Sequence, residues 1–108
     1  MTSEATSKSR RHPRISLPTG MTVAWYGGGF QQTSRVQTLS SGGLSVSGDI
    51  TRPLGSTLML VFEVPGGVVQ AEAVVRNVKP GKEMGLEFTS MRPQARALLD
   101  DLLRRLLR

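Results

Sequence analysis

The chain has 108 residues, with fourteen Lys and Arg against eight Asp and Glu, and a formal net charge of +6. That length is enough for one domain with a modest core, and the positive charge favours an anionic partner. Because the sequence contains no cysteine, disulfides, thiolate metal sites and cysteine nucleophiles are all excluded.

The first eighteen residues are polar and then rich in arginine and proline. Residues 1–9 (MTSEATSKS) are small and polar without periodicity, which predicts a disordered tail ahead of a domain that spans residues 10–108. Residues 9–18 (SRRHPRISLP) contain three arginines, the single histidine and two prolines. A guanidinium binds phosphate bidentately and stacks on flat rings, as an ammonium does not. The arginines of this segment are therefore chemically able to bind phosphate and to stack on flat rings.

Beyond this segment, apolar and polar residues alternate as they do in half-buried strands. Turns that contain glycine divide the region into six predicted strands. One of them, STLMLVFEV, is almost continuously apolar, which indicates burial on both of its faces. The predicted strands are MTVAWY at 21–26, SRVQTL at 34–39, LSVSGD at 44–49, STLMLVFEV at 56–64, VVQAEAVVRNV at 68–78 and EMGLEF at 83–88.

The periodicity becomes helical near Met91. Ser90 is suited to an N-cap and Pro93 to the first turn, so we predict a helix over residues 91–107. Six leucines form a broad apolar stripe along it, at positions 98, 99, 102, 103, 106 and 107. Short antiparallel strands followed by one helix predict an all-β fold, a small six-stranded antiparallel barrel with a C-terminal helix. Any part of the leucine stripe that the barrel leaves uncovered would serve as a homodimer contact.

Groups that could perform catalysis are sparse. His12 is the only imidazole in the chain, and no acidic pair stands near it in sequence, so no serine has an evident base. One histidine and scattered carboxylates do not make a metal ligand set. We therefore expect no enzyme activity, no metal and no cofactor. No apolar run approaches a membrane span or a signal peptide, so we expect a cytoplasmic protein without a membrane partner.

Two short motifs occur in a fixed order on this predicted framework. Arg10 and Arg14 form Arg-x-x-x-Arg in RRHPR, and Ser40 and Gly43 form Ser-x-x-Gly in the turn of TLSSGG. Together they make the chain resemble the PilZ domain family, bacterial receptors for the dinucleotide cyclic di-GMP. The resemblance extends from Arg10 to the last helix and includes the segments SSGGLSVSG, LGSTLMLVFEVPGG, AEAVVRNV and MGLEF.

The resemblance implies that residues 10–18 form an arginine clamp that folds over cyclic di-GMP on the barrel surface. In that role Arg10 and Arg14 would bind the phosphates and contact the guanines, and Arg11 would be an additional cation. Ser40 would contact a phosphate or a guanine edge, and Gly43 would let the backbone come close to the ligand. Ordering of the segment would change the surface presented to an unidentified protein partner.

One position departs from the family pattern and leaves alternatives open. Thr38 stands where the family has Asp or Asn, and it offers only a hydroxyl. A PilZ-like interaction module that does not bind cyclic di-GMP is therefore one alternative. A small barrel that binds single-stranded nucleic acid is another, but the chain has only five aromatic residues, and the alternation places Trp25 in the core rather than on a base-stacking surface.

Overall fold

A computed structural model describes residues 15, 16 and 20–107. The predicted tail of residues 1–9 lies outside the described residues. Along the described chain, seven strands precede a single helix. Their bounds are β1 Ile15–Ser16, β2 Thr22–Gly27, β3 Phe30–Ser40, β4 Gly43–Ser47, β5 Thr57–Val64, β6 Gly67–Lys79, β7 Glu83–Met91 and α1 Pro93–Leu106.

Six of the strands close into an antiparallel barrel. The neighbours around it are β2, β5, β6, β7, β4 and β3, and β3 pairs again with β2 to complete the circle. Because the barrel is closed, each of these six strands has a hydrogen-bonded neighbour on both sides. The seventh strand, β1, contributes only two residues and pairs with the far end of β3. The predicted six-stranded antiparallel barrel with one C-terminal helix is thus confirmed.

The barrel interior is filled by the apolar residues of the period-two pattern. Val23 and Trp25 of β2 are fully buried, together with Leu58 and Leu60 of β5. The indole Nε1 of Trp25 donates a hydrogen bond of 2.9 Å to Ser34 Oγ inside the barrel. Trp25 is therefore a core residue, as its place in the alternation predicted. On the outer face of β5, Met59 and Val61 are half-buried rather than fully buried.

The third strand is longer than the sequence pattern predicted. It begins at Phe30 rather than near Ser34, because a hairpin turn at Gly28 and Gly29 brings the chain back along β2. Both glycines have positive φ, 62° and 84°, a conformation that glycine adopts without steric cost. The polar residues that follow Phe30 pair with β2 through their backbones, so this part of β3 has little apolar alternation to reveal it.

The helix starts two residues later than predicted. Ser90 and Met91 still belong to β7, where they pair with Glu72 and Ala71 of β6. Ser90 is therefore not the N-cap; Arg92 is, without a side-chain capping bond. Pro93 opens the helix, where its missing N–H is not needed.

The leucine stripe of α1 covers one end of the barrel. Leu99 and Leu103 are buried in the same core as the strands, and Leu98 and Leu102 pack against it. Leu98 also lies against the β5–β6 turn at Gly66 and Gly67. Of the six leucines, the exposed one is Leu107, at 64%. The stripe is thus used within the chain, which gives no support to the leucine-mediated homodimer considered from the sequence. Within the described residues, no helix has the length and apolar character needed to cross a bilayer.

Candidate functional site

The Ser-x-x-Gly motif forms the tight turn between β3 and β4, at the barrel end that carries α1. We call residues 40–43 the motif turn. Ser40 and Gly43 face each other as the last pair of the ladder. The buried Ser40 hydroxyl accepts a bond from the Gly42 N–H at 3.2 Å and donates one to the Gly43 carbonyl at 3.3 Å. Serine therefore closes this turn with its own side chain.

Gly43 is required by the close approach of a neighbouring strand. It pairs with Glu87 of β7, and a Cβ added at this position would overlap the carbonyl oxygen of Leu86. Any larger residue would push β4 away from β7 and open the barrel seam. The sequence interpretation attributed this glycine to the approach of a ligand, and the described contacts supply a structural requirement for the same residue.

Thr38 lies on the outer face of the barrel, just ahead of the motif turn. Its backbone is flanked by Ser16 of β1 on one side and Ser45 of β4 on the other. The Thr38 and Ser45 hydroxyl oxygens are 2.7 Å apart, and either can donate. A register shift between Val36 and Thr38 sets the direction of this part of the strand, as a bulge commonly does near functional sites. Thr38 is half-buried.

The short strand β1 lies within residues 10–18 and pairs with the part of β3 that precedes the motif turn. Arg10, Arg11 and Arg14 lie outside the described residues. Immediately after Arg14, Ile15 pairs with Leu39 and Ser16 pairs with Thr38. The two residues that follow the arginine motif in the sequence are thereby paired with the part of β3 that leads into the motif turn.

Two further residues hold the motif turn from other elements. The backbone N–H of Phe88, in β7, donates to the Gly42 carbonyl at 2.8 Å. The guanidinium Nη1 of Arg96, in α1, donates to the Ser41 carbonyl at 2.7 Å. Sequence reasoning did not single out Arg96. No local pattern could have done so, because this contact joins residues 55 positions apart.

The surroundings of the turn balance positive and negative side chains. Glu87, opposite Gly43, forms an ion pair with Arg76. Asp100 lies 3.7 Å from the Arg96 guanidinium. Among the described residues, no His, Cys, Asp and Glu side chains converge in a group of three that could hold a metal ion. An open cavity of about 400 Å³ adjoins the turn, lined by Phe88, Thr89, Ser90, Met91, Pro93 and Arg96.

Comparisons of the fold place it among structures with a matching barrel. The Bacillus subtilis inhibitor of motility (MotI/DgrA) is 24% identical, with a TM-score of 0.74, over 91% of this chain and 51% of that one. The PilZ domain of Escherichia coli YcgR with c-di-GMP is 19% identical, with a TM-score of 0.69, over 91% of each chain. Borreliella burgdorferi PlzA in complex with c-di-GMP is 17% identical, with a TM-score of 0.68, over 92% of this chain and 43% of that one.

The chain thus spans about half the length of the motility inhibitor, less than half of PlzA and nearly all of the YcgR domain. The TM-scores of these three matches establish the shared fold. No curated protein sequence matches the chain. The family model described as PilZ domain matches residues 8–105, which include both motifs, all seven strands and nearly all of α1. The chain belongs to the PilZ domain family.

Proposed function

We propose that this protein is a receptor for cyclic di-GMP, in which the arginine segment (residues 10–18) closes over the dinucleotide against the motif turn. Membership of the PilZ domain family supports this. Three similar structures, YcgR, PlzA and Klebsiella pneumoniae MrkH, are described as holding c-di-GMP. The residues that the proposal assigns to such a site are suited to binding rather than to catalysis.

The observation that carries the proposal is the pairing of β1 with β3. Ile15 and Ser16 run antiparallel to Leu39 and Thr38. The chain that precedes Ile15 therefore enters this ladder from the side of the motif turn. Arg14 is bonded directly to Ile15, and the proposal therefore has the arginine segment close on the ligand beside Thr38 and the turn. A ligand held between the segment and the turn would touch both motifs at once.

The chemistry of the side chains fits a cyclic dinucleotide. Arg10 and Arg14 would grip its two phosphates and stack on or bond to the guanines, because a guanidinium can make both kinds of contact. Arg11 would add a third positive charge. Ser40 could donate a hydrogen bond to the ligand only by exchanging its 3.3 Å bond to Gly43, because the hydroxyl has one hydrogen to donate, although its second lone pair could accept from a guanine N–H. We therefore assign Ser40 first to shaping the turn.

Binding of the ligand would be signalled by a change in the side chains that the protein surface presents. Ordering on the barrel of the part of residues 10–18 that precedes β1 would present new side chains to a protein partner without any second activity in the chain. The existence of a protein partner and the cytoplasmic location remain predictions from the sequence.

A second candidate function has one observation in its favour. Thr38 replaces the acidic or amide residue of the family motif, and its hydroxyl already interacts with Ser45. A chain with this change could keep the fold and the protein contact while having lost the ligand. The nucleic-acid alternative has less support, because Trp25 is buried, and the exposed aromatic residues are Tyr26 and Phe30, at 40% and 39%.

Calorimetric titration tests the proposal directly. We expect the full chain to bind cyclic di-GMP and to give little heat with GTP or single-stranded DNA. Arg10→Ala and Arg14→Ala should each cost about 1.5–3 kcal/mol of binding free energy through loss of a charge-assisted phosphate contact. Arg104→Ala is the control, since Arg104 lies on the exposed side of α1 and pairs with Asp101.

Each outcome separates the candidates. Absence of cyclic di-GMP heat in the wild type would support the interaction module. Equal losses for Arg14→Ala and Arg104→Ala in DNA binding, with a steep salt dependence, would support the nucleic-acid barrel. Cyclic di-GMP binding that is unaffected by both Arg10→Ala and Arg14→Ala would disprove the clamp.

A further inference from the structure

Helix α1 reaches the motif turn through the long side chain of Arg96. Arg96 Nη1 donates a hydrogen bond of 2.7 Å to the Ser41 carbonyl, in a partly buried position. Hydrogen bonds with a charged donor are shorter and roughly twice as strong as those between neutral groups. The bond therefore ties the first half of α1 firmly to the turn.

Three consecutive carbonyls of the turn are held by three different elements. The Ser41 carbonyl is bound by Arg96 from α1, the Gly42 carbonyl by the Phe88 N–H from β7, and the Gly43 carbonyl by the Ser40 hydroxyl from β3. Two adjacent glycines have the largest backbone entropy to lose on ordering. These bonds order the turn in the protein without ligand. Ligand binding therefore does not have to include the loss of backbone entropy on ordering the turn.

We propose that Arg96 is a positioning residue of the ligand site, which fixes the motif turn in its binding shape and couples the turn to α1. This inference takes its ligand, cyclic di-GMP, from the proposed function. The contacts from which it is argued are all within the protein without ligand. Asp100 lies 3.7 Å from the same Nη1 atom and helps to direct the guanidinium toward the turn. Arg96 thus acts through Ser41 rather than by touching the ligand.

The test compares two arginines of the same helix. Arg96→Gln removes the charged donor to Ser41. Arg104→Gln is the matched control, because Arg104 also pairs with an aspartate, Asp101 at 3.6 Å, and its side chain is 71% exposed. We expect Arg96→Gln to weaken cyclic di-GMP binding about five- to twentyfold by calorimetry, and Arg104→Gln to change it less than about twofold. Arg96→Lys, which retains the charge, should give an intermediate loss.

A second measurement does not depend on the ligand. In the free protein, Arg96→Gln should speed amide hydrogen exchange at residues 41–43, and Arg104→Gln should not. Because coupling is reciprocal, Ser40→Ala in the turn should change exchange in α1 around Arg96.

The two measurements keep this inference separate from the proposed function. No cyclic di-GMP binding by the wild type would overturn the proposed function, whereas the exchange data would still decide whether Arg96 positions the turn. Unchanged exchange at residues 41–43 in both Arg96→Gln and Arg96→Lys would overturn the positioning role. Lost affinity with an unchanged turn would overturn it too, since it would make Arg96 a direct ligand contact.

Discussion

The side chains of Thr38 and Ser45 meet on the outer face of the barrel, with their hydroxyl oxygens 2.7 Å apart across the β3–β4 ladder. Thr38 lies beside β1, two residues before the motif turn, and Ser45 lies two residues after it. Ser45 is thus placed to orient whatever polar group stands at position 38. The relationship makes the departure of Thr38 from the family motif open to experiment.

Thr38→Asn should retain or tighten cyclic di-GMP binding, by up to about 1–3 kcal/mol, because its amide oxygen restores a planar acceptor and its NH₂ can donate to Ser45. Calorimetry of Thr38→Asn beside Thr38→Val measures this, since valine keeps the branched shape without any polar group. A more than tenfold weaker Thr38→Asn, or an equal gain with Thr38→Val, would contradict the prediction. If Thr38→Asn released heat with cyclic di-GMP and the wild type did not, the protein would be a non-binding module that lost its ligand through the change to Thr38.

Arg14→Lys tests geometry rather than charge in the clamp. The substitution keeps the positive charge but removes the planar fork and the stacking surface. We expect it to lose most of the roughly 1.5–3 kcal/mol that Arg14→Ala loses. Calorimetric affinities of both variants at one salt concentration decide the point. Full retention of affinity by Arg14→Lys would show that position 14 contributes only a point charge.

Gly43→Ala should destabilise the fold as well as any binding. The new Cβ would overlap the Leu86 carbonyl. The backbones of β4 and β7 could make room for it only by moving apart, which would break the ladder between them. We expect a loss of about 1–3 kcal/mol in the free energy of unfolding, the range for overpacked sites. Urea unfolding followed by circular dichroism provides the measurement.

A second glycine serves as the control for that experiment. Gly48 is exposed and would place a Cβ 3.3 Å from the Ser34 hydroxyl oxygen, a side-chain atom. Gly48→Ala should therefore cost less than about 1 kcal/mol. If Gly43→Ala kept full stability and lost only ligand binding, the ligand rather than β7 would be the reason for this glycine.

Ser34→Ala should leave the Trp25 indole N–H without a partner inside the barrel. An unsatisfied buried donor costs about 1–3 kcal/mol of stability. Trp25→Phe removes the donor itself, so the double variant Trp25→Phe/Ser34→Ala should cost less than the sum of the two single variants. Urea unfolding of the wild type, the two single variants and the double variant measures this double-mutant cycle. Strict additivity would mean that the 2.9 Å bond contributes nothing to stability.

The sequence predicted most of the barrel because its strands alternate cleanly. Val23 and Trp25, or Leu58 and Leu60, are separated by residues that face outward, and all four are buried as expected. The beginning of β3 was missed, since Gln31 and Gln32 pair through their backbones and carry no apolar signal. The helix start was misplaced because cross-strand pairing of Met91 overrode the local helical pattern.

The site was less predictable than the fold. The spacing of Ser40 and Gly43 identified the turn correctly, since the serine bonds to its own backbone within three residues. The two-residue strand β1 is too short for any periodicity. The Arg96 contact joins distant parts of the chain, and only the folded barrel brings the helix to the turn. The arginine motif remains a prediction, as Arg10 and Arg14 lie outside the described residues.

The burial of Trp25 gives the protein an internal optical reporter. It is the single tryptophan of the chain, and its indole is fully enclosed by the barrel and bonded to Ser34. Indole fluorescence shifts to longer wavelength when water reaches the ring, so the emission should follow opening of the barrel. Docking of a molecule on the outer wall should leave the emission wavelength where it was. A red shift during a titration would therefore reveal that the barrel interior had loosened, an event that heat measurements alone do not distinguish from surface contact.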